Sequence, residues 1–415
     1  MGFEHIIPEL IILSMACVVL LVDVFVKQKQ HHLTYALTQM TLIGAFVMSL
    51  FQFGSPVAVV FHSNFIRDHL TTVMELAILI TSFVMFLFSR EFILDRGNMS
   101  RGEFYVLGLF SILGMLVLVG SNSLITVFLG LELMSLPLYA MIAIYRENKR
   151  ATEVAMKYFV IGGVASAMML YGMSMVYGAT GHVDFVTIIK AITLSSAHGL
   201  FFNPFLMNLG IVFIIVGIAF KLGAVPFHMW LPDVYEGSPT AVTLFIGSAP
   251  KLAAFAMLMR LLVEMLPGLH ALWQPMLILL SILSMVVGNV LAIAQTNLKR
   301  MLGYSGIAHM GYMFLGVIAG TVAGYQAAFF YMLTYVLMSV ASFAMLILLS
   351  RKGFDCENIK DLQGLNTRSP WMALMMLFVM FSMAGMPPFV GFYAKLMVLE
   401  AVIGVHLVWL AVVAI

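Results

Sequence analysis

The 415 residues are 62% hydrophobic and 10% charged, with a net charge of +2 and a mean hydropathy of +1.05. A water-soluble chain carries about 25% charged residues, so a soluble globular protein is excluded, and the near-neutral balance gives no case for nucleic acid as a partner. Two cysteines without CxxC spacing, no GxGxxG and no Walker loop leave no legible iron–sulfur, zinc or nucleotide site, so any redox cofactor has to sit on another chain.

Apolar runs of about 20 residues, enough to cross roughly 30 Å of hydrocarbon as helices, recur along the whole chain. They predict spans at 6–26, 34–54, 70–89, 104–120, 124–145, 153–178, 206–232, 239–264, 272–294, 301–320, 325–350 and 371–400. A further span begins near 403 and reaches Ile415 without a polar flank, as in a chain that continues further. The first run is not a cleavable signal, because Glu4 and Glu9 precede or enter it and its basic flank, Lys27 and Lys29, follows it. The longest connections are 179–205, with an amphipathic stretch at Val183–Ile192 suited to the membrane interface, and 351–370. With the N-terminus outside, fourteen lysines and arginines fall in inside loops and only Arg67 and Lys190 in outside loops, which fixes the expected orientation.

Five basic residues fall within spans instead: Lys157, Lys221, Lys251, Arg260 and Lys395. Arg260 is expected to snorkel from the outer end of its helix. The four lysines and Glu132 are expected deeper, where a charge costs about 2.5–3.5 kcal/mol on insertion scales. A structural reading is a Lys–Glu pair that ties helices together. It fits the set less well, because one carboxylate cannot neutralise four lysines. Burial lowers a lysine pKa and a nearby carboxylate raises it, so a lysine under both influences can load and release a proton near neutrality. His228 follows Lys221 by seven residues, two turns along the same face of a regular helix, and neutral imidazole can accept on one nitrogen and donate on the other. His309, within another span, suits a satisfied core histidine as well as a relay member.

The seventh and twelfth predicted spans contain prolines that are expected to interrupt them. Pro226 and Pro232 interrupt the seventh, and Pro387–Pro388, between Gly385 and Gly391, interrupt the twelfth. Each break has an intramembrane lysine nearby: Lys221 before the first and Lys395 after the second. Irregular backbone at membrane depth persists only inside protein or along a wet cavity, and paired breaks with charges are the pattern of a transport site. The breaks lie five spans apart, an odd offset that inverts one half relative to the other. The internal sequence match is little more than VPF against PPF, and the lysines fall on opposite sides of their breaks.

Four ordered segments, GLELMSLPLYAMIA, KLGAVPFHMWLPDVYEGSPT, LKRMLGYSGIAHMGY and GMPPFVGFYAKL, resemble the antiporter-like membrane subunits of proton-pumping NADH–quinone oxidoreductase (respiratory complex I). The resemblance covers essentially the whole chain and is greatest to the N-subunit group, the counterpart of mitochondrial subunit 2. It implies an all-α membrane fold of 13–14 transmembrane helices, with two inverted five-helix repeats and discontinuous helices 7 and 12. The corresponding division is N-terminal helices at 1–100, a first repeat at 101–265 and a second at 266–415. It also implies a proton relay through Glu132, Lys157, Lys221, His228, Lys251 and Lys395. In that relay Glu132 pairs with Lys157 or Lys221, and the proton leaves by way of His228 and Lys251 toward Lys395. A lysine at 395 departs from the M-subunit pattern, which has glutamate there. By the same resemblance NADH, FMN, iron–sulfur clusters and quinone belong to partner subunits. The partners are other membrane subunits of the complex, including neighbouring antiporter-like ones, and membrane lipid. The location is a bacterial inner membrane with the N-terminus on the periplasmic side, the mitochondrial inner membrane being the alternative. The rival classes are a subunit of a multi-subunit cation/proton antiporter or membrane-bound hydrogenase, and a structural subunit whose charges are inert.

Overall fold

A computed structural model describes residues 2–25, 32–95, 101–198 and 203–415. The fold is almost wholly helical, as the long apolar runs dictate, since only helices satisfy their own backbone in lipid. Among the described residues, eleven helical stretches are long and apolar enough to cross a membrane. Lys27, Lys29 and Arg96, counted above among the inside cations, lie outside the described residues.

The chain divides into two compact units, the first comprising Met1–Ile218 with Leu252–His270, and the second Ala219–Lys251 with Ala271–Ile415. In the first unit α1 (Ile7–Phe25), α2 (His32–Phe51) and α3 (His69–Asp95) are followed by α4 (Arg101–Val119), α5 (Leu124–Ile142) and α6 (Lys149–Thr180). Between α2 and α3 a short antiparallel hairpin pairs β1 (Ala58–Val60) with β2 (Phe65–Arg67), in the register Val59 opposite Ile66. The amphipathic stretch of the 179–205 connection forms α7 (Phe185–His198). Helices α4 and α5 meet backbone to backbone: a Cβ added at Gly114 would lie 2.2 Å from the Met134 nitrogen. Ser111 Oγ also donates to the Met134 carbonyl at 3.0 Å.

The predicted seventh span is two helices, α8 (Pro204–Leu222) and α9 (Trp230–Gly237). The predicted eighth is also interrupted, at Gly247–Ser248, just before a proline, Pro250, that was not expected to break it. It consists of α10 (Thr240–Ile246), α11 (Ala249–Leu258) and a π-helical turn Met259–Glu264. The second unit continues with α12 (His270–Ile293, whose first residue belongs to the first unit), α13 (Leu298–Ile318) and α14 (Val322–Leu349). After the short α15 (Leu365–Arg368), the twelfth span is split into α16 (Pro370–Ala384) and α17 (Val390–Gly404), and α18 (Val408–Ala414) closes the chain. The expected breaks at Pro226 and Pro387–Pro388 are therefore present, with both the Val225–Pro226 and Pro387–Pro388 peptide bonds cis, whereas Pro232 lies in the first turn of α9 and interrupts nothing.

Candidate functional site

Breaking a helix in mid-membrane frees backbone carbonyls that lipid cannot satisfy. The two breaks solve this in the same way. In each, a glycine with positive φ follows the last helical residue, Gly223 at +76° and Gly385 at +82°, three residues before the cis proline. Each forms a reverse cap: Ala224 N donates to Ala219 O at 2.8 Å, and Met386 N donates to Phe381 O at 3.0 Å. The final carbonyl of each half-helix is then taken by a lysine. Lys251 Nζ donates to Leu222 O, and Lys395 Nζ donates to Ala384 O at 3.0 Å. The C-terminal end of a helix carries partial negative charge, so an ammonium there is both a hydrogen-bond donor and a favourable charge.

At the first break Lys251 is 1% exposed and its ammonium stands 6.0 Å from the Trp230 ring centroid. Trp230 adds to the cap, donating from Nε1 to Phe220 O at 3.0 Å, a carbonyl that also accepts from Gly223 N at 3.0 Å. The Val225 amide, which α8 no longer serves, donates to Ser284 Oγ at 2.9 Å. Lys221 is buried in the last turn of α8, with Nζ 5.8 Å from the Phe220 ring centroid. His228 does not share a helical face with Lys221, because α8 ends at Leu222. Its imidazole is half-buried in the turn that leads into α9, and its buried Nδ1 makes no hydrogen bond.

At the second break Lys395 lines a cavity of about 290 Å³ together with Asn289, Ser305, His309, Tyr312 and Ala384. Its ammonium is 4.8 Å from the Tyr312 ring centroid. His309 is 3% exposed and its Nδ1 lies 2.7 Å from the Tyr331 hydroxyl, so this histidine is both a hydrogen-bonded core residue and a wall of the cavity.

Glu132 and Lys157 belong to the first unit. Glu132 is half-buried on α5, five residues before the in-helix Pro137, and its Oε1 is buried without a hydrogen-bond partner. Lys157 departs from expectation. Its side chain is 49% exposed and pairs at 2.7 Å with Glu153, one turn earlier on α6, so it does not depend on Glu132 for neutralisation. Arg260 departs as well. It does not snorkel: its side chain is 0% exposed, and it is clamped by Asp68 (two contacts of 2.7 Å), Glu264 (2.5 Å), Thr71 Oγ1 (2.7 Å) and the Val119 carbonyl (3.1 Å). Burial works against the Asp68 charge, but the Arg260 hydrogen bonds and charge outweigh it and hold the carboxyl below the usual range.

Two residues assigned to loops from the sequence are in fact buried. Lys299 is 1% exposed, paired with Glu357 at 2.6 Å and donating to Ser238 O at 2.8 Å. Arg67 is also 1% exposed, on β2. The adjacent Arg300 bridges Asp233 (2.8 Å) and Glu236 (2.9 Å), and so with Lys299 fastens α9 and its following turn to α13. No group of three or more potential metal ligands occurs among the described residues.

Residues 121–415 match the transmembrane family described as NADH:quinone oxidoreductase/Mrp antiporter. The chain is 53% identical to NADH-quinone oxidoreductase subunit N of Thioalkalivibrio sulfidiphilus, over 100% of its own length and 85% of the relative's. It is 52% identical to the subunit N of Coxiella burnetii, over 100% and 86%. Among solved structures, a chain of respiratory complex I from Thermus thermophilus superposes with a TM-score of 0.82 at 33% identity, covering 98% of this chain and 85% of that one. A chain of the Mrp complex from Dietzia reaches 0.86 at 21% identity, covering 100% and 77%, a likeness of fold alone. The chain belongs to the NADH:quinone oxidoreductase/Mrp antiporter family of membrane subunits, within its subunit N group.

Proposed function

We propose that this chain is a proton-translocating membrane subunit of an NADH–quinone oxidoreductase, and that its half-helix lysines are the proton carriers. The observation that carries this reading is the lysine seated on the terminal carbonyl at each mid-membrane break, Lys251 on Leu222 and Lys395 on Ala384. Burial disfavours the ammonium, whereas the negative helix end favours it, and small movements of the lysine change the balance. Moving one charge against 100 mV takes about 2.3 kcal/mol. A change of two pKa units is worth about 2.7 kcal/mol, so a modest rearrangement is of the right size.

In the second unit the carriers are Lys221, Lys251 and Lys395, with His228 as the neutral shuttle. Glu132 is the acid of the series, and the exposed Glu153–Lys157 pair is its surface member. The unpartnered Glu132 Oε1 and His228 Nδ1 support these roles, since each is a polar atom ready for a proton or a water. The paired breaks support two inverted five-helix repeats over 101–265 and 266–415. NADH, FMN, iron–sulfur clusters and quinone belong to partner subunits, and the energy comes from quinone reduction there. The chain resides in a bacterial inner membrane with its N-terminus on the periplasmic side, among other membrane subunits and lipid.

The test is proton pumping measured beside NADH-driven quinone reduction in membrane vesicles carrying Lys251→Ala or Lys395→Ala. Loss of pumping in an assembled complex is expected. Undiminished pumping in both variants would make the lysines structural caps and end the proposal.

A further inference from the structure

A second buried charge cluster, unconnected with the lysines, lies in the N-terminal helices. Arg67 of β2 is surrounded by Glu9 of α1 and Glu75 of α3, the three being 1%, 5% and 0% exposed. Arg67 Nη1 donates to Glu75 Oε2 at 2.6 Å, and Nη2 lies 3.4 Å from both Glu9 oxygens. Its Nε is already used, donating to the His5 carbonyl at 2.8 Å. Ser49 Oγ of α2 donates to Glu75 Oε2 as well, at 3.1 Å. Glu75 Oε2 thus receives two donors, while Glu75 Oε1, equally buried, receives none.

One guanidinium cannot neutralise two carboxylates. If both were ionised the cluster would bury a net negative charge, with an ionised oxygen making no hydrogen bond, the arrangement that low dielectric penalises most. The surrounding charged groups offer no remedy. Glu4, beside the His5 ring at 3.6 Å, is a further negative charge and is exposed. The neighbouring Arg260 is occupied by Asp68 and Glu264, a cluster that is itself one cation against two anions. Two carboxyls that share a site and cannot both ionise hold a proton between them.

We propose that Glu9 and Glu75 together bind one exchangeable proton at neutral pH, making the N-terminal three-helix segment a proton-binding site in its own right. The proton completes the hydrogen bonding of the carboxyl pair and leaves Arg67 facing one net negative charge. The half-helix lysines take no part in this cluster, so it binds its proton whether or not they carry protons.

The experiment is infrared difference spectroscopy of the purified, intact complex at neutral pH, in the protonated-carboxyl stretching region, in water and in deuterium oxide. A deuterium-sensitive band is expected that disappears in Glu75→Gln and in Glu9→Gln. Glu75→Gln, a near-isostere of the protonated acid, is expected to assemble as the wild type does, whereas Arg67→Gln is expected to lower assembly severalfold. Identical carboxyl bands in the wild type and both variants would overturn the proposal. So would a failure of both single variants, Glu9→Gln and Glu75→Gln, to assemble, since a neutral group is then tolerated at neither position. A band that vanishes as sodium is raised would assign charge compensation to a metal cation and overturn it equally.

Discussion

Replacing Gly385 with alanine tests the link between the break and its lysine. Gly385 has φ +82°, where an L side chain costs about 1–2 kcal/mol. The added Cβ would also lie 2.8 Å from Lys395 Cδ and 3.2 Å from both Cε and Nζ, so the lysine has to leave its place on the Ala384 carbonyl. A hydrogen bond to a charged group contributes about 1.5–3 kcal/mol, equivalent to roughly a 10- to 100-fold change in an equilibrium that depends on it. Gly353 supplies the control. It has the same φ of +82°, lies in the loop after α14, and has nothing within 4 Å of an added Cβ. Gly353→Ala is expected to share the backbone cost and leave proton pumping per quinone reduced unchanged. Gly385→Ala is expected to lower that ratio at least tenfold. The assay is simultaneous recording of vesicle acidification and quinone reduction. Equal ratios in the two variants would refute the argument that the seat of Lys395 on the half-helix end governs pumping.

The Arg260 clamp gives a pH-dependent stability. Because the folded Asp68 carboxyl is held below its ordinary value, its contribution is complete above about pH 4, the unfolded value, and is lost as pH falls through the lowered one. Asp68→Asn should remove about 3 kcal/mol at neutral pH and abolish that acid-side loss, as read from thermal unfolding of the purified complex at a series of pH values. The thiol of Cys356 is 3% exposed, and burial, with Asp361 nearby, pushes it up to about 11. At pH 7 roughly one molecule in 10⁴ is thiolate, so alkylation at Cys356 should be very slow and should accelerate about tenfold per pH unit up to that value. Mass spectrometry of the labelled chain checks this, and rapid labelling at pH 7 would contradict it.

The spans and their interruptions were legible because length and proline act locally. About 20 apolar residues make a crossing helix whatever surrounds them, and Pro226 or Pro388 breaks one by its own chemistry. The role of each lysine was legible only in part, because a cap is a tertiary contact. From sequence, Lys221 and Lys395 look like counterparts lying awkwardly on opposite sides of their breaks. In the fold the counterpart of Lys395 is Lys251, which arrives from the following span to occupy the same kind of carbonyl. Arg67 read as an outside-loop cation because periodicity carries no signal from a three-residue strand folded back between helices. Its carboxylate partners come from positions 58 residues before and 8 after it. Lys157 finds a partner that was not anticipated. An apolar run marks a span, but the exposed face of α6 near its start allows an ordinary one-turn ion pair with Glu153. The interruption of the eighth span had a local signal as well, Pro250 in the first turn of α11, which the span's apolar length masked. There Gly247 O accepts from Ser339 Oγ at 2.9 Å, so a side chain of α14 takes over a carbonyl that the kink exposes.

The lysine that closes the Ala384 carbonyl makes side-chain motion and local wetting a single event. Lys395 cannot swing away without stranding that carbonyl, a cost of about 1–3 kcal/mol, unless another donor takes its place at once. The adjoining cavity, lined by Asn289, Ser305 and Tyr312, has room and polar edges for water to do so. A dry cavity therefore latches the lysine in place, and a filled one frees it.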